Sequence, residues 1–436
     1  MRVFLSILVS LTLIFASSCN KEDGVKPLGC IDGCADSSME LQTTLHYFMG
    51  TDLKSYYYTN ISDMESAVAA GALGCNGKFY YLFPSSSSEA TLYRIDYTFE
   101  DQVDGSESVV VRSYTDFPSI AAESLQMVIA DVVEDSGHNK LYPDHRMNLI
   151  IGSHGMAWEL VEEPTASYAA SKSGVQRVMT AAEESERGHP GVENQAIPTR
   201  YMGLASKVSE GAIDIEDLCT AISNSDEKFG YIIFDACFMS SIEVFYRLRN
   251  CCDYIVASPA EVMAAGFPFE TIIPHLFTDN GRDFDLTAAC EAFYTFYTTY
   301  STKSATVAMC VTSELEALAS VIANMELRSL TSNEIKGIQA YERYSYHKFY
   351  DLGEYITTAS DGNTEAAAAF QAQFDKTFPE SCRLHTPTFY SSVSGSGSNT
   401  ISIDYYSGVT TSEPSSNGYC YGWELEPWSI AAGRTE

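Results

Sequence analysis

Two short apolar runs, each ending in a reactive side chain, constrain this chain more than any other feature. They are Asn148-Leu149-Ile150-Ile151-Gly152-Ser153-His154-Gly155 and Tyr231-Ile232-Ile233-Phe234-Asp235-Ala236-Cys237. Unbroken apolar runs of this length read as strands buried on both faces. The carboxyl ends of such strands are where open α/β sheets gather their ligand chemistry. A histidine on one and a cysteine on the other point to a thiol nucleophile with an imidazole near it.

The stretch between the two runs is longer than a simple crossover needs. Pro164 to Pro198 is polar, rich in small residues and without sustained periodicity, which predicts an exposed loop. Beyond it a helix opens at Asp214, with Leu218, Ala221 and Ile222 on one face, and feeds the strand at Tyr231. Strand, crossover helix and parallel strand make the βαβ unit of an α/β sheet. Further strands are predicted over residues 77–82, 91–95, 254–258, 306–311 and 401–405. A helix is predicted from Pro118 to Val133, and a helical stripe at Phe238, Ile242, Phe245 and Leu248 follows the cysteine.

The residues around the cysteine carry a resemblance. Asp235-Ala236-Cys237-Phe238-Met239-Ser240-Ser241-Ile242-Glu243 is similar to the clostripain family of caspase-like cysteine peptidases, whose members carry Asp-Ala-Cys, a Met shortly after and a Glu one helical turn further on. A hydrophobic block running into His-Gly, as at 148–155, is the other half of that signature. His46 to Leu53 resembles the family's first strand and turn, Asp351-Leu352-Gly353-Glu354-Tyr355 a later marker, and Ile401 to Tyr405 a strand near the end. The resemblance implies a caspase-like α/β/α sandwich around a mostly parallel sheet, with a C-terminal α+β extension. The domain plan that follows is a signal peptide over residues 1–18, a lipidated tether over 19–38, a peptidase domain over 39–330 and a subdomain over 331–436 that completes the fold.

Cys237 is then the expected nucleophile, placed where a strand hands over to a helix whose amino-terminal end would stabilise a thiolate. Read alone, it is as well explained as a buried structural cysteine. His154 is the expected general acid toward the leaving amine, and a polar cap on a strand is the plainer account of it. The resemblance implies an oxyanion hole from the N–H groups of Gly155 and Cys237, and a dyad that needs no third acid. It also makes Asp235 the floor of a pocket for the Lys or Arg before the cleaved bond, where an uncharged side chain would leave a desolvated carboxylate unpaired. A carboxylate bonding nearby backbone N–H groups is the structural alternative. Where the family continues from Ser-Glu or Ser-Asp toward Gly-Trp-Pro-Tyr, this chain reads Ser258-Pro259-Ala260-Glu261 and Gly266-Phe267-Pro268-Phe269. The pocket wall is therefore altered, with Ser258 and Glu261 as candidate rim residues. Lys172, Arg177 and Arg187 in the intervening loop are candidate self-cleavage points, since the family is often matured in that way.

The amino terminus has Arg2, an apolar stretch from Val3 to Phe15 and small residues before Cys19, the layout of a secretory signal. Cys19 sits where a bacterial lipoprotein is cleaved and acylated, and the charged Lys21-Glu22-Asp23 resembles a signal for surface display. An outer-membrane or cell-surface lipoprotein is expected, with a secreted or periplasmic protein as the alternative. Twelve cysteines fit export; a lipidated Cys19 and a nucleophilic Cys237 leave an even number whose pairing spacing does not decide. Against 58 Asp plus Glu stand 26 Lys plus Arg, a formal charge of −32 that would repel a phosphate backbone and attract a cationic peptide. Nucleic acid is therefore not an expected partner, a soluble extracellular surface is the plainer account of the same charge, and the membrane is expected to be met only through the lipid. No structural zinc spacing and no Gly-x-Ser-x-Gly elbow occur. No cofactor is required on this reading; calcium dependence occurs in the family, and the many carboxylates permit it without an EF-hand. The competing expectation is a catalytically silent caspase-like surface protein that binds peptides.

Overall fold

A computed structural model describes residues 41–142, 144–158, 213–343, 347–392, 398–413, 423 and 426–434, and the backbone of 199–200. The expected signal peptide over residues 1–18, Cys19, and the expected loop segment with Lys172, Arg177 and Arg187 lie outside the described residues.

One nine-stranded sheet runs through the molecule in the order β12-β10-β8-β7-β5-β1-β2-β3-β4. Its strands are β1 (Leu41–Phe48), β2 (Gly77–Ser86), β3 (Glu89–Glu100), β4 (Val103–Thr115), β5 (His145–Gly152), β7 (Phe229–Asp235), β8 (Cys252–Ala257), β10 (Thr306–Val311) and β12 (Leu384–His385). The five central strands, β2, β1, β5, β7 and β8, pair in parallel, while both flanks turn antiparallel. A two-residue strand β6 (Thr199–Arg200) pairs antiparallel with β9 (Val262–Met263).

The period of two divides each central strand between two cores. Leu149, Ile151, Ile232 and Phe234 face a core closed by the helices Ala122–Ser136, Ile215–Asn224, Ile242–Leu248 and Leu315–Ala323. Ile150, Tyr231, Ile233 and Val256 face the other, closed by Lys54–Ala69, Phe269–Leu276 and Leu286–Thr299. Burial on both faces is why β5 and β7 are nearly unbroken apolar runs. The helix expected from Pro118 begins four residues later, at Ala122: Pro118 instead closes a turn through its carbonyl to the N–H of Ala121.

The C-terminal third is woven into this frame. Its β12 lies at the sheet edge, and β11 (Tyr350–Asp351) pairs with β15 (Thr410–Thr411). Asp351 caps the helix Leu352–Ala359 through the N–H of Glu354. It also accepts the N–H of Ser407 at 2.7 Å and the hydroxyl of Tyr341 at 2.6 Å. Of the expected strand 401–405, only its start is realised, as β14 (Thr400–Ser402) against β13 (Thr388–Tyr390).

Candidate functional site

The carboxyl ends of β1, β5 and β7 lie side by side, because their registers align Phe48 with Gly152 and Gly152 with Asp235. The chain leaving β5 therefore carries His154 to the end of the sheet where β7 delivers Cys237. The two segments touch: a Cβ built on Gly155 would lie 2.2 Å from the carbonyl oxygen of Cys237. Only glycine lets the backbones approach this closely. Ser153 donates its N–H to the carbonyl of Asp235 at 3.3 Å, tying the segments again.

Cys237 does not sit at a helix start. The helix that follows begins at Ile242, after a turn in which Phe238 takes a left-handed φ of 60°. This corrects the expectation that the helix end would stabilise the thiolate. The amide that reaches the sulfur comes instead from β9: Val262 N–H donates to Sγ at 3.2 Å. The carbonyl of the same residue lies 3.7 Å from Sγ as an acceptor for the thiol, so Val262 holds the sulfur through both of its backbone groups. Phe238 N–H is taken by the carbonyl of Ala260 at 3.1 Å and Ser240 N–H by that of Ser258 at 2.9 Å, so segment 258–262 holds the turn after Cys237 along its length. Cys237 is 1% exposed and His154 5%.

His154 is bonded through Nε2 to the carboxylate of Asp52, and both side chains are 6% exposed. Asp52 lies in the turn after β1, 102 residues from His154 in sequence. The sequence pattern marks residues 46–53 as a strand and turn but carries no signal that pairs Asp52 with His154.

Asp235 is fully buried, and its Oδ1 accepts the N–H of Phe267 at 3.2 Å, so it faces the altered Gly266-Phe267-Pro268-Phe269 stretch. Ser258 is turned inward, its Oγ within 2.7 Å of Thr306 Oγ1 and 3.0 Å of the Ala260 carbonyl. Glu261 is 3% exposed; its carboxylate accepts the N–H and hydroxyl of Ser392 and the hydroxyl of Ser391. These bonds make Ser258 and Glu261 braces of the loops around the site. Glu243 does the same on the far side of Cys237, accepting Thr411 Oγ1 at 2.8 Å and Ser412 N–H at 3.0 Å.

A cleft of about 430 Å³ lined by Glu342, Arg343, His347, Glu354 and Asp404 lies in the C-terminal third and contains none of the expected site residues. Among the described residues no cluster of three or more His, Cys, Asp or Glu could hold a metal ion. No helix among them is long and apolar enough to cross a membrane.

A mostly parallel sheet with helices on both faces and a cysteine and histidine on adjacent strand ends is the architecture of caspase-like cysteine peptidases. The clostripain family model matches residues 187–408, which include Asp235 and Cys237, and this chain belongs to that family of cysteine peptidases. A secreted C11 cysteine protease from Bacteroides thetaiotaomicron, "iotapain", is 28% identical, with a TM-score of 0.73 over 90% of this chain and 99% of its own. An inactive zymogen C11 protease from Parabacteroides distasonis shares the fold at 22% identity, TM-score 0.67, over 90% of this chain and 97% of its own. A secreted C11 cysteine protease from Bacteroides thetaiotaomicron, in complex with an irreversible peptide inhibitor, does so at 21% identity, TM-score 0.68, over 90% and 98%. No curated protein matches the chain.

Proposed function

We propose that this peptidase is an exported endopeptidase that cuts after Arg or Lys, with Cys237 as nucleophile and His154 as general acid and base. The observation that carries the reading is the meeting of the two strand ends, with Gly155 against the Cys237 carbonyl. The thiolate of Cys237 attacks the scissile carbonyl, and the oxyanion is met by the N–H groups of Gly155 and Cys237. His154 gives a proton to the leaving amine, leaving a thioester. It then takes a proton from water, which hydrolyses the thioester and releases the acid. Asp235, buried at the end of β7 against the altered Gly266-Phe267-Pro268-Phe269 stretch, supplies the negative charge for the basic side chain.

Maturation by self-cleavage in the 164–198 segment, at Lys172, Arg177 or Arg187, is part of this reading. Its support is that the chain just past this segment returns to the site: Thr199–Arg200 pairs with Val262–Met263, and Val262 reaches the cysteine sulfur. Export, with acylation at Cys19, rests on the amino-terminal sequence.

The test is turnover of matched peptide reporters ending in Arg, Lys, Asp or Leu, by protein from Met39 onward, with and without calcium, beside Cys237→Ala and Asp235→Asn. Hydrolysis confined to Arg or Lys, lost in Cys237→Ala and relaxed in Asp235→Asn, is expected. Wild type should also yield two fragments that Cys237→Ala does not. Silence on every peptide, even after the 164–198 segment is nicked with trypsin, would leave a peptide-binding protein instead.

A further inference from the structure

We infer that Asp52 is the third member of the reacting group, a positioning residue that fixes the ring orientation and tautomer of His154. The inference rests on the reading of His154 as the proton-transfer residue and goes beyond the dyad.

The turn 49–53 does not need Asp52 to hold its shape. Met49 N–H donates to the Gly152 carbonyl at 2.9 Å, Gly50 N–H to Ser119 Oγ at 3.1 Å, and Tyr57 hydroxyl to the Met49 carbonyl at 3.1 Å. The helix Lys54–Ala69 starts with Leu53 at its cap and no side-chain capping bond. Asp52 therefore contributes little as a cap or turn former, yet its carboxylate is 6% exposed, and among the described residues its Oδ1 has no hydrogen-bond partner. Burying a carboxylate with one oxygen unmet costs stability, and such a cost persists where the group serves another purpose. Among the described residues, the partner of its other oxygen is His154 Nε2.

An imidazole has two nitrogens, and only one can exchange a proton with substrate while the other is held. A carboxylate accepting from Nε2–H keeps the proton on Nε2 in the neutral ring and assigns the exchange with leaving amine and water to Nδ1. The β1–β5 register makes the arrangement rigid: Phe48 pairs with Gly152, so the turn carrying Asp52 and the segment carrying His154 leave the sheet as neighbours. Without the carboxylate the ring is free to hold its proton on Nδ1, where it blocks the exchange.

The experiment pairs steady-state kinetics with a spectrum that needs no turnover. Asp52→Asn keeps the volume of the side chain, and Asp52→Ala removes it; both are compared with wild type on the Arg reporter. About 10²-fold loss in kcat with KM within twofold is expected for Asp52→Ala, with a smaller loss for Asp52→Asn, whose amide oxygen can still accept from Nε2–H. Long-range ¹H–¹⁵N spectra of histidine-labelled protein, with the His154 signals assigned by His154→Gln, should show the neutral Nε2–H form in wild type and a shift toward Nδ1–H in Asp52→Ala. An unchanged tautomer, or a folded Asp52→Asn and Asp52→Ala with kcat within twofold of wild type, overturns the inference. A loss confined to KM does so too. If wild type turns over no peptide, the peptidase reading has failed, and the spectrum still decides whether Asp52 sets the ring.

Discussion

At the scale of single residues, the contact between Gly155 and Cys237 is the most exacting feature of the site. A methyl on Gly155 would stand 2.2 Å from a backbone oxygen and 3.1 Å from Ala236 Cβ, and a main-chain carbonyl cannot swing aside as a side-chain end can. Gly155→Ala must therefore drive the two strand-end segments apart. Overpacking of this kind costs about 1–3 kcal/mol, while an ångström of displacement between reacting groups costs on the order of 10²-fold in rate. The expected outcome is a folded protein with a modestly lowered Tm and about 10²-fold less turnover; activity within a few-fold of wild type would mean the close approach has no part in catalysis. Cys237 and His154 were legible in the sequence because each ends an apolar run that can only be a buried strand. Asp52 was not, since it lies in the turn after a strand of mixed character, with Gln42, Thr43, Thr44 and His46 all buried, and meets His154 only through strand register. The donor to the sulfur is not legible for a related reason: Val262 reaches Cys237 across a loop that no local pattern reveals.

At the scale of elements, the helix Ile242–Leu248 that follows the nucleophile turn is fastened by charge as well as by packing. Its Arg247 donates to both oxygens of Glu426, at 3.0 and 2.9 Å, at the start of the helix Pro427–Ala431. Burial pushes the Glu426 carboxyl up to about 7, against the pull of Arg247 and helped by the negative charge of Glu243 and Asp214. A folded-state value above the unfolded one means the folded chain keeps a proton that the unfolded chain has lost. Stability from this group is then fully present below about pH 4.5 and is lost as the pH rises toward 7. The increment is on the order of 1–3 kcal/mol. Thermal melts from pH 4.5 to 7.5 should show this decline in wild type and a flatter course in Glu426→Gln; equal slopes would show that Glu426 is ionised throughout. Strongly periodic or fully apolar elements were readable, and those that were missed lack such a signal. β4 (Val103–Thr115) is largely solvent-facing, with Ser-Glu-Ser beside Val-Val-Val, and its strand character comes from pairing with β3 along its whole length.

At the scale of the whole molecule, the reactive residues are held by a part of the chain far from them in sequence. Ser240, three residues past Cys237, donates its hydroxyl to the Gly408 carbonyl at 2.6 Å and accepts the N–H of Thr410 at 2.9 Å. Trp158, four residues past His154, donates its indole N–H to Ser412 Oγ at 2.9 Å, and Glu243 takes Thr411 and the N–H of Ser412. Segment 407–412 thus braces both halves of the site, and Asp351 in turn fixes Ser407. The same third of the chain supplies the edge strand β12 and the fully buried Trp428, which packs edge-on against Tyr246. Removing residues 331–436 would expose this core and leave the buried carboxylate of Glu243 without these partners, a loss larger than the usual net stability of a domain. A chain of residues 39–330 is therefore expected to show no cooperative melt and no labelling of Cys237 by a peptide-based alkylating reagent. The milder Glu243→Ala should retain a cooperative melt, lowered by about 1–3 kcal/mol for the buried hydrogen bonds it abandons. A 39–330 chain that melts cooperatively and is labelled at Cys237 would show that residues 331–436 decorate the site without building it.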